Sequence, residues 1–242
     1  EEAFEVLVRA RQLEAQGKEV VHLEIGEPDF PSPVNVVEAA VQALREGWTR
    51  YGPPAGYPEL REAVAQNVSQ EHGVAVDPSE VIVTPGAKPI LFFVILALVE
   101  PGDEVFIPDP GFPIYASMVR FVGATPVPIP HREELDFGID LDEIKKRIGR
   151  KTRLIILNSP HNPTGGVIPR AQLQELSELV VNSPACILSD EIYSQLSYDT
   201  PPSSITEFPG MKERTVILNG FSKTYAMTGW RIGYGIMPSA LA

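Results

Sequence analysis

VILNGFSKTYAMTGWRIGY, at residues 216–234, combines an apolar, β-branched start with a loop that carries Lys223 and, eight residues later, Arg231. The start is typical of a buried strand, and the lysine follows where that strand would end. A lysine amine can form an imine with an aldehyde, and an arginine can clamp a phosphate with its planar fork of donors. The stretch therefore indicates a site for a ligand that carries both groups, although an isolated lysine and arginine on a loop are more often ordinary surface residues.

Seven apolar, β-branched runs alternate with helical patterns along the chain, at residues 81–83, 104–107, 125–129, 154–157, 186–188, 215–218 and 232–236. Helices are predicted at residues 2–16, 34–46, 58–72, 89–99, 113–121, 141–148 and 170–182. Most of the runs are continuously apolar, as in strands that are covered on both faces of a mainly parallel sheet. We therefore predict an α/β fold with a mainly parallel seven-stranded sheet sandwiched by helices. The last two runs are too close for a helical crossover, so the seventh strand is expected to run antiparallel.

The composition excludes several classes of partner. With 242 residues and a formal net charge of −12, the chain has no general attraction to nucleic acid or to an anionic membrane, so an anionic ligand needs local cations. The longest apolar run, residues 90–99, is too short to cross a bilayer and predicts a buried helix. Glu1 and Glu2 stand where a secretory signal would carry cations, and the single Cys186 makes no internal disulfide. We therefore expect a cytoplasmic protein with no nucleic-acid or membrane partner.

Polar segments follow five of the predicted strands. They are TPGAK at residues 84–88, PDPGF at 108–112, NSPHNPTG at 158–165, SDEIY at 189–193 and NGFSK at 219–223. Ligands of open α/β sheets bind outside the carboxyl ends of the strands. These segments are therefore expected to converge on one crevice. The four histidines have no metal-like spacing, so no metal site is predicted.

Seven motifs form a specific set: GEPDF at residues 26–30, YGPPAGYPELREA at 51–63, TPGAKP at 84–89, PGFPIY at 110–115, NSPHNPTG at 158–165, SDEIY at 189–193 and SKTYAMTGWRIGY at 222–234. From about Gln12 to the last residue, this set resembles the class I and II aminotransferases, which are fold-type I pyridoxal phosphate enzymes of the aspartate aminotransferase superfamily. The resemblance implies pyridoxal 5′-phosphate as cofactor. It also implies a large cofactor-binding domain at residues 34–242, with residues 1–33 belonging to an incomplete small domain.

The resemblance implies a role for each residue near the reactive part of the cofactor. Lys223 would hold the cofactor as an imine and, once displaced by the substrate amine, move a proton from the substrate Cα to the cofactor C4′. A lowered pKa of Lys223 suits this task, and Arg231 nearby would favour the neutral amine. Asp190 would pair with the pyridine nitrogen, although an aspartate at this place also serves as a helix N-cap. Tyr193 and Asn162 would hydrogen-bond the phenolic oxygen of the cofactor, although the segment around Asn162 also suits a plain turn.

The implied phosphate site consists of Arg231, Ser222 and backbone N–H groups at the start of a helix. Those N–H groups belong to Gly86 and Ala87, where the helix dipole and the unpaired donors favour an anion. Two positions depart from the usual pattern of the family. Ala87 is often Gly in relatives, a change that backbone donors tolerate. Gly220 is often Ser, so this chain lacks one possible hydroxyl contact.

Further residues are implied around the ring and the substrate. Phe112 would stack on the cofactor ring, although a Phe after a strand is more often a core residue. Lys88 would bind either the phosphate or a distal carboxylate of the substrate, and a solvated surface lysine is its alternative. Gly26, through its backbone, and Asn162 would contact the substrate, with a turn glycine as the alternative for Gly26. Tyr51 would reach the phosphate of a neighbouring subunit, which implies a homodimer, and its alternative is a turn aromatic.

The implied function is that of an aminotransferase, which moves an amino group between an L-amino acid and a 2-oxo acid in a ping-pong cycle. Lys88 favours a dicarboxylate substrate such as aspartate or glutamate. A carbon–sulfur β-lyase stays open as an alternative, because it would share Lys223, Asp190 and Arg231. A ligand-sensing domain of a transcription regulator also uses this fold, although no basic helix-turn-helix segment is visible.

The sequence stops at Ala242, before the C-terminal part that in this family completes the small domain and supplies an arginine for the substrate α-carboxylate. The chain is then either a fragment or a bare cofactor-binding domain. Because Glu1 stands inside a predicted helix, we expect a chain that is truncated at both ends, binds the cofactor poorly and turns over little by itself.

Overall fold

Helices and strands alternate along the chain, which the computed structural model describes at residues 2–198 and 202–242. The α-helices are α1 (Glu2–Ala15), α2 (Val34–Arg45), α3 (Pro58–His72), α4 (Lys88–Leu98), α5 (Ile114–Phe121), α6 (Leu141–Arg147) and α7 (Arg170–Val181). The strands are β1 (Val81–Thr84), β2 (Glu104–Asp109), β3 (Thr125–Pro130), β4 (Thr152–Asn158), β5 (Cys186–Asp190), β6 (Thr215–Gly220) and β7 (Gly233–Ile236).

The strands form one seven-stranded sheet in the order β1-β7-β6-β5-β4-β2-β3. β7 is antiparallel to both β1 and β6, and the other neighbouring pairs are parallel. The loop between β6 and β7 is too short for a helical crossover, so the chain returns beside β6 in the opposite direction. The structure confirms the mainly parallel seven-stranded sheet and the antiparallel seventh strand that the sequence predicted.

Helices cover both faces of the sheet. In β4, Leu154 and Ile156 face a cluster formed with α4 and α5, whereas Ile155 and Leu157 face a cluster formed with α6 and α7. Successive residues of a strand point to opposite faces, and because both faces are buried, the strand is continuously apolar. A third cluster packs α3 against β1, β6 and β7. The predicted sandwich of helices is confirmed.

α4 begins next to the expected crevice and is buried on one side only. Gly86 has a φ of +82°, which turns the chain out of β1, and Ala87 then serves as N-cap of α4. Phe93 and Leu96 are 53% and 49% exposed. The prediction that this apolar run forms a buried helix was therefore wrong for one of its faces. No helix in the described parts of the chain is both long and apolar enough to span a membrane.

The N-terminal part of the chain packs differently from the rest. None of the described residues before Leu60 belongs to the three core clusters. Residues 26–32 instead lie against the loop that follows β6. Ser32 Oγ donates a hydrogen bond of 2.7 Å to the carbonyl of Ala226, and Trp230 Nε1 donates one of 2.9 Å to Ser32 Oγ. These bonds hold the N-terminal segment over the loop that carries the predicted cofactor lysine.

Candidate active site

The segments that follow β2, β5 and β6 meet at the carboxyl edge of the sheet. The rings of Phe112 and Tyr115 meet edge to face with their centroids 5.8 Å apart, and Tyr115 hydrogen-bonds Asp190. Asp190 is close enough to Tyr193 to contribute to the raised pKa of that residue, and the Nζ atom of Lys223 lies 5.8 Å from the ring centroid of Tyr193. The structure therefore brings the predicted ring-stacking, ring-nitrogen and imine-forming residues into one crevice.

Lys223 lies in the turn after β6 with its side chain half-buried. Its amine donates a hydrogen bond of 2.6 Å to the carbonyl of Gly26. Burial lowers the pKa of Lys223, Glu27 partly opposes this, and Arg231 adds to the lowering. The lowered pKa that the sequence led us to expect is present, and it favours the neutral amine that a nucleophile or base needs.

Asp190 ends β5 with its carboxyl group buried and 7% of the residue exposed. Oδ2 accepts a hydrogen bond of 2.7 Å from Tyr115 Oη, and Oδ1 accepts one of 3.2 Å from the N–H of Ile192. Burial raises the pKa of Asp190 to about 6 although both hydrogen bonds lower it, and Glu191 adds to the rise. Such a carboxyl favours a cationic partner, which would restore its ionised form. The alternative role as helix N-cap was wrong, because Tyr193 is the N-cap of the short helix that follows.

The loop after β1 and the guanidinium of Arg231 form a cradle for an anion. A Cβ added to Gly86 would collide with Arg231 Nη2, so only a glycine lets the arginine lie over this backbone. A Cβ added to Gly233 of β7 would lie 2.4 Å from the backbone nitrogen of Ala87, so this position also requires a glycine. Arg231 has a φ of +60°, and its Nη1 donates to the carbonyl of Thr228 at 2.8 Å. Because no side chain caps the start of α4, the backbone N–H groups there are suited to an anion.

Lys88 and Phe112 form a second pair at the crevice. The Nζ atom of Lys88 lies 5.3 Å from the centroid of the Phe112 ring, and both residues are half-buried. Phe112 also packs against the core cluster of α4 and α5, as its core alternative predicted, and its stacking role stays a prediction. Lys88 is therefore not a solvated surface lysine.

Asn158 holds the loop that carries Asn162. Its Nδ2 donates to the carbonyls of Pro160 at 3.2 Å and of Asp190 at 3.1 Å, while its Oδ1 accepts a bond of 2.8 Å from the N–H of Asn162. Asn158 is 1% exposed. These bonds fasten the loop after β4 to the end of β5, which places Asn162 on the side of the crevice that Asp190 occupies.

Other predicted site residues make fewer contacts with the crevice. Tyr51 is fully exposed and makes none of the hydrogen bonds or ring contacts found among the described residues. Gly26 reaches Lys223 through its carbonyl, but nothing would lie within 4 Å of a Cβ added to it. Ser222 is half-buried beside Lys223. A Cβ on Gly220 would lie 3.0 Å from the Cα of Gly233, so a serine there would push β7 outward.

Tyr115 is the main site residue that sequence reasoning missed. PGFPIY carried the family resemblance, but only its Phe112 received a role. Tyr115 is 2% exposed, and no local pattern shows that its hydroxyl meets a carboxylate 75 residues away.

We predict that Tyr115→Phe weakens the site without changing the fold. The substitution leaves Oδ2 of Asp190 buried without a donor, which costs about 1–3 kcal/mol of unfolding free energy and raises the pKa of Asp190. Urea unfolding of the ligand-free protein measures the first effect. Tyr198→Phe is the matched control, since Tyr198 is 92% exposed. Equal unfolding curves for wild type and Tyr115→Phe would contradict the structural role of this hydrogen bond.

Comparison with known proteins agrees with this geometry. The family model described as aminotransferase class I and II matches residues 18–242. A probable aspartate/prephenate aminotransferase of Aquifex aeolicus is 40% identical over 98% of this chain and 61% of its own length. An arginine–pyruvate transaminase of Pseudomonas aeruginosa is 39% identical over 99% of this chain and 61% of its own length. The solved structure of aspartate aminotransferase from Thermus thermophilus with maleate superposes with a TM-score of 0.94 at 42% identity, covering 99% of this chain and 62% of that chain.

The chain thus spans about three fifths of the length of these relatives. The match nevertheless includes every strand of the sheet and every loop of the crevice, and the family model covers well over half of the chain. The chain belongs to the class I and II aminotransferase family.

Proposed function

We propose that the protein is a pyridoxal phosphate-dependent aminotransferase, which moves an amino group between an L-amino acid and a 2-oxo acid. The observation that supports this most is the meeting of three groups at one edge of the sheet. They are the half-buried amine of Lys223, the buried carboxyl of Asp190 and the guanidinium of Arg231 over Gly86. An aldehyde, a protonated ring nitrogen and a phosphate are their chemical complements, and the cofactor carries all three.

The residues present fit the cofactor part by part. The phosphate would lie in the cradle of Arg231 and the start of α4, where a side chain on residue 86 would fill the space. Asp190 would take the ring nitrogen, and Phe112 would pack on the ring. The remaining polar contacts would come from Ala87, Asn162, Tyr193 and Ser222. When bound, the ring supplies an electron sink for the charge that is left when the substrate Cα loses a proton.

Side chains of the protein would move the substrate proton and hydrogen-bond the cofactor. Lys223 would leave the carbonyl of Gly26 and take the proton from the substrate Cα, a step that needs the neutral amine favoured by burial. Asp190 would ionise beside the ring cation and hold the ring proton in place. Burial, with Asp190 nearby, raises the pKa of Tyr193, so its hydroxyl stays protonated and can donate a hydrogen bond.

A half-reaction tests this function. Incubating the cofactor-loaded protein with an amino acid alone should give one 2-oxo acid per site and then stop, because the amino group stays on the cofactor. Adding a second 2-oxo acid should restart turnover. Continuous release of ammonia without any 2-oxo acid would instead indicate the carbon–sulfur β-lyase.

We propose that residues 34–242 form the large cofactor-binding domain and that residues 1–33 belong to a small domain. In support, none of the described residues between 1 and 33 belongs to the core clusters. Val21 and Leu23 are 79% and 89% exposed, which suits a segment that packs against a further part of the protein, C-terminal to residue 242. In this proposal, the binding of the substrate α-carboxylate also depends on that further part, and residues 1–242 alone turn over little.

We propose that the protein works as a homodimer in which Tyr51 reaches the phosphate site of the neighbouring subunit. The support is an exposed apolar stripe that leads to Tyr51. It consists of Val34, Val37, Val41 and Leu44 on α2 and continues to Trp48. Spacings of three and four residues put these side chains on one helix face, and a face this apolar favours a protein partner.

Mixed dimers test this arrangement. Lys223→Ala and Tyr51→Ala homodimers should both be weak, for different reasons. A mixed dimer has one site with both defects and one site with neither, so mixing should restore up to about half of the wild-type activity per dimer. Activity that stays at the level of the separate variants, in a sample shown by mass spectrometry to contain mixed dimers, would contradict the shared site.

We propose an acidic substrate of the aspartate or glutamate type, with Lys88 contacting its distal carboxylate. Lys88→Ala should lower kcat/KM for aspartate by about tenfold to a hundredfold, as expected when a hydrogen bond to a charged group is lost, and leave alanine unaffected. Lys18→Ala, a change at an exposed lysine, is the control. If aspartate and alanine suffer equally, Lys88 serves the phosphate instead.

A further inference from the structure

A buried polar cluster surrounds Glu191, the residue that follows Asp190. It consists of His72, Ser189, Glu191, Ser204 and Thr206, and we call it the Glu191 cluster. Glu191 is 5% exposed, and its Oε1 accepts hydrogen bonds of 2.8 Å from both serine hydroxyls. The Nε2 atom of His72, the last residue of α3, lies 3.3 Å from Glu191 Oε2.

Each hydroxyl proton of the Glu191 cluster takes part in a hydrogen bond within the cluster. Ser189 and Ser204 each donate their single proton to Glu191, so the bond of 2.9 Å between Ser204 and Thr206 takes its proton from Thr206. The oxygen of Thr206 can then only accept a hydrogen bond from an N–H at His72 Nδ1, 3.4 Å away. Because Nε2 faces an ionised carboxylate, which only accepts, both ring nitrogens of His72 carry a proton.

The surroundings of His72 also favour a cation. Burial lowers the pKa of His72, but Glu191, Glu71 and Glu207 together raise it above the ordinary value. Lys212 lines the same small cavity as His72, and its charge is already balanced by Glu80 at 3.0 Å. His72 and Glu191 therefore form a buried pair of opposite charges.

The charge of Glu191 matters for the crevice because Glu191 is bonded directly to Asp190. Ser189 and Glu191 both turn into the Glu191 cluster, whereas the side chain of Asp190 between them meets Tyr115. Glu191 nevertheless contributes to the raised pKa of Asp190. A cation 3.3 Å from Glu191 reduces this effect, because a close pair of opposite charges acts at longer range only as a dipole.

We propose that His72 is a positioning residue for the cofactor: as an imidazolium paired with Glu191, it offsets the negative charge behind the sheet, so that Asp190 can hold the protonated ring nitrogen as a carboxylate. The inference rests on the proposed function of Asp190. It adds a residue that contacts neither the cofactor nor the substrate.

Nitrogen NMR of the full natural chain, labelled at histidine, tests the first half of the proposal without any cofactor. Both ring nitrogens of His72 should show protonated shifts at pH 7.5, and the signals should disappear in His72→Gln. A ring with one protonated nitrogen at that pH would overturn the proposal. This result does not depend on whether the protein is an aminotransferase.

Cofactor titration of three variants tests the second half. His72→Gln keeps a donor for Glu191 but removes the cation, so the dissociation constant for pyridoxal phosphate should rise about tenfold, as for a change of one unit in the pKa of Asp190. Glu191→Gln removes the charge that needs a partner and should stay within about threefold of wild type. The double variant should recover most of the loss of His72→Gln, since it contains neither charge.

The outcomes are distinguishable. Losses in the single variants that add up in the double variant would show that the cluster only supports the fold, and they would overturn the proposal. Urea unfolding shows whether each variant is folded before the titration. If the wild type binds no pyridoxal phosphate, the proposed function fails and the effect on the cofactor fails with it, whereas the NMR result still decides the charge of His72.

Discussion

Replacing Lys223 with alanine should lower the rate of transamination by on the order of 10⁴-fold, because the residue would serve both as the covalent anchor and as the base. Lys223→Arg should fail similarly, since a guanidinium stays charged and cannot attack an aldehyde. Steady-state rates with an amino acid and a 2-oxo acid, in the full natural chain loaded with cofactor, provide the measurement. The cofactor should still bind to both variants through its phosphate and its ring.

Lys151→Ala is the matched control for this prediction. Lys151 is exposed and precedes β4, at the edge of the sheet opposite the crevice, so its loss should leave the rate unchanged. A Lys223→Ala variant that keeps more than about a tenth of the wild-type rate would remove this lysine from the chemistry, since a positioned base alone contributes at least about a hundredfold.

Asp190→Asn should have two opposite effects. With cofactor present, the variant should bind pyridoxal phosphate about tenfold to a hundredfold more weakly, because a hydrogen bond to a charged group is worth about 1.5–3 kcal/mol. Without cofactor, the variant should be more stable than wild type above about pH 6. The pKa of about 6 for buried Asp190, set against an ordinary carboxyl value of 3.8, corresponds to about 3 kcal/mol lost when this carboxyl ionises.

The sign of the second effect follows from the direction of the shift. A carboxyl group whose pKa is raised in the folded state contributes stability that is fully present below its unfolded pKa and is lost as the pH rises through its folded pKa. Ligand-free wild type should therefore lose stability between about pH 4 and 6 relative to Asp190→Asn, measured by urea unfolding. Asp142→Asn, at a side chain that is 80% exposed, controls for general charge effects. A wild type that is the more stable of the two at pH 8 would contradict the burial cost.

The sheet could be predicted from local patterns because its strands are buried on both faces. β4 is continuously apolar because its residues pack into a hydrophobic cluster on each face of the sheet. The loop before β7 is too short for a helical crossover, so it indicates the antiparallel pairing of β7 with β6. The strand ends could be predicted for the same reason. Polar segments such as SDEIY interrupt runs that are otherwise apolar, and parallel strands place their carboxyl ends at one edge.

The parts that could not be predicted depend on contacts between distant residues. The hydrogen bond from Tyr115 to Asp190 crosses from α5 to β5, and His72 reaches Glu191 from the end of α3. Nothing near these residues in sequence shows their partners. The exposed face of α4 was missed for a related reason, because a helix that is apolar on all sides gives no pattern to tell the covered face from the open one.

The most direct test of the central claim is borohydride reduction of the full natural chain after incubation with pyridoxal phosphate, followed by peptide mass mapping. Borohydride makes the bond between an amine and the aldehyde permanent, so the mass of the cofactor marks the lysine that held it. One label per chain is expected, on Lys223. A label only on other lysines, or none in a protein that is folded and free of other ligands, would contradict the assignment of this crevice as the cofactor site.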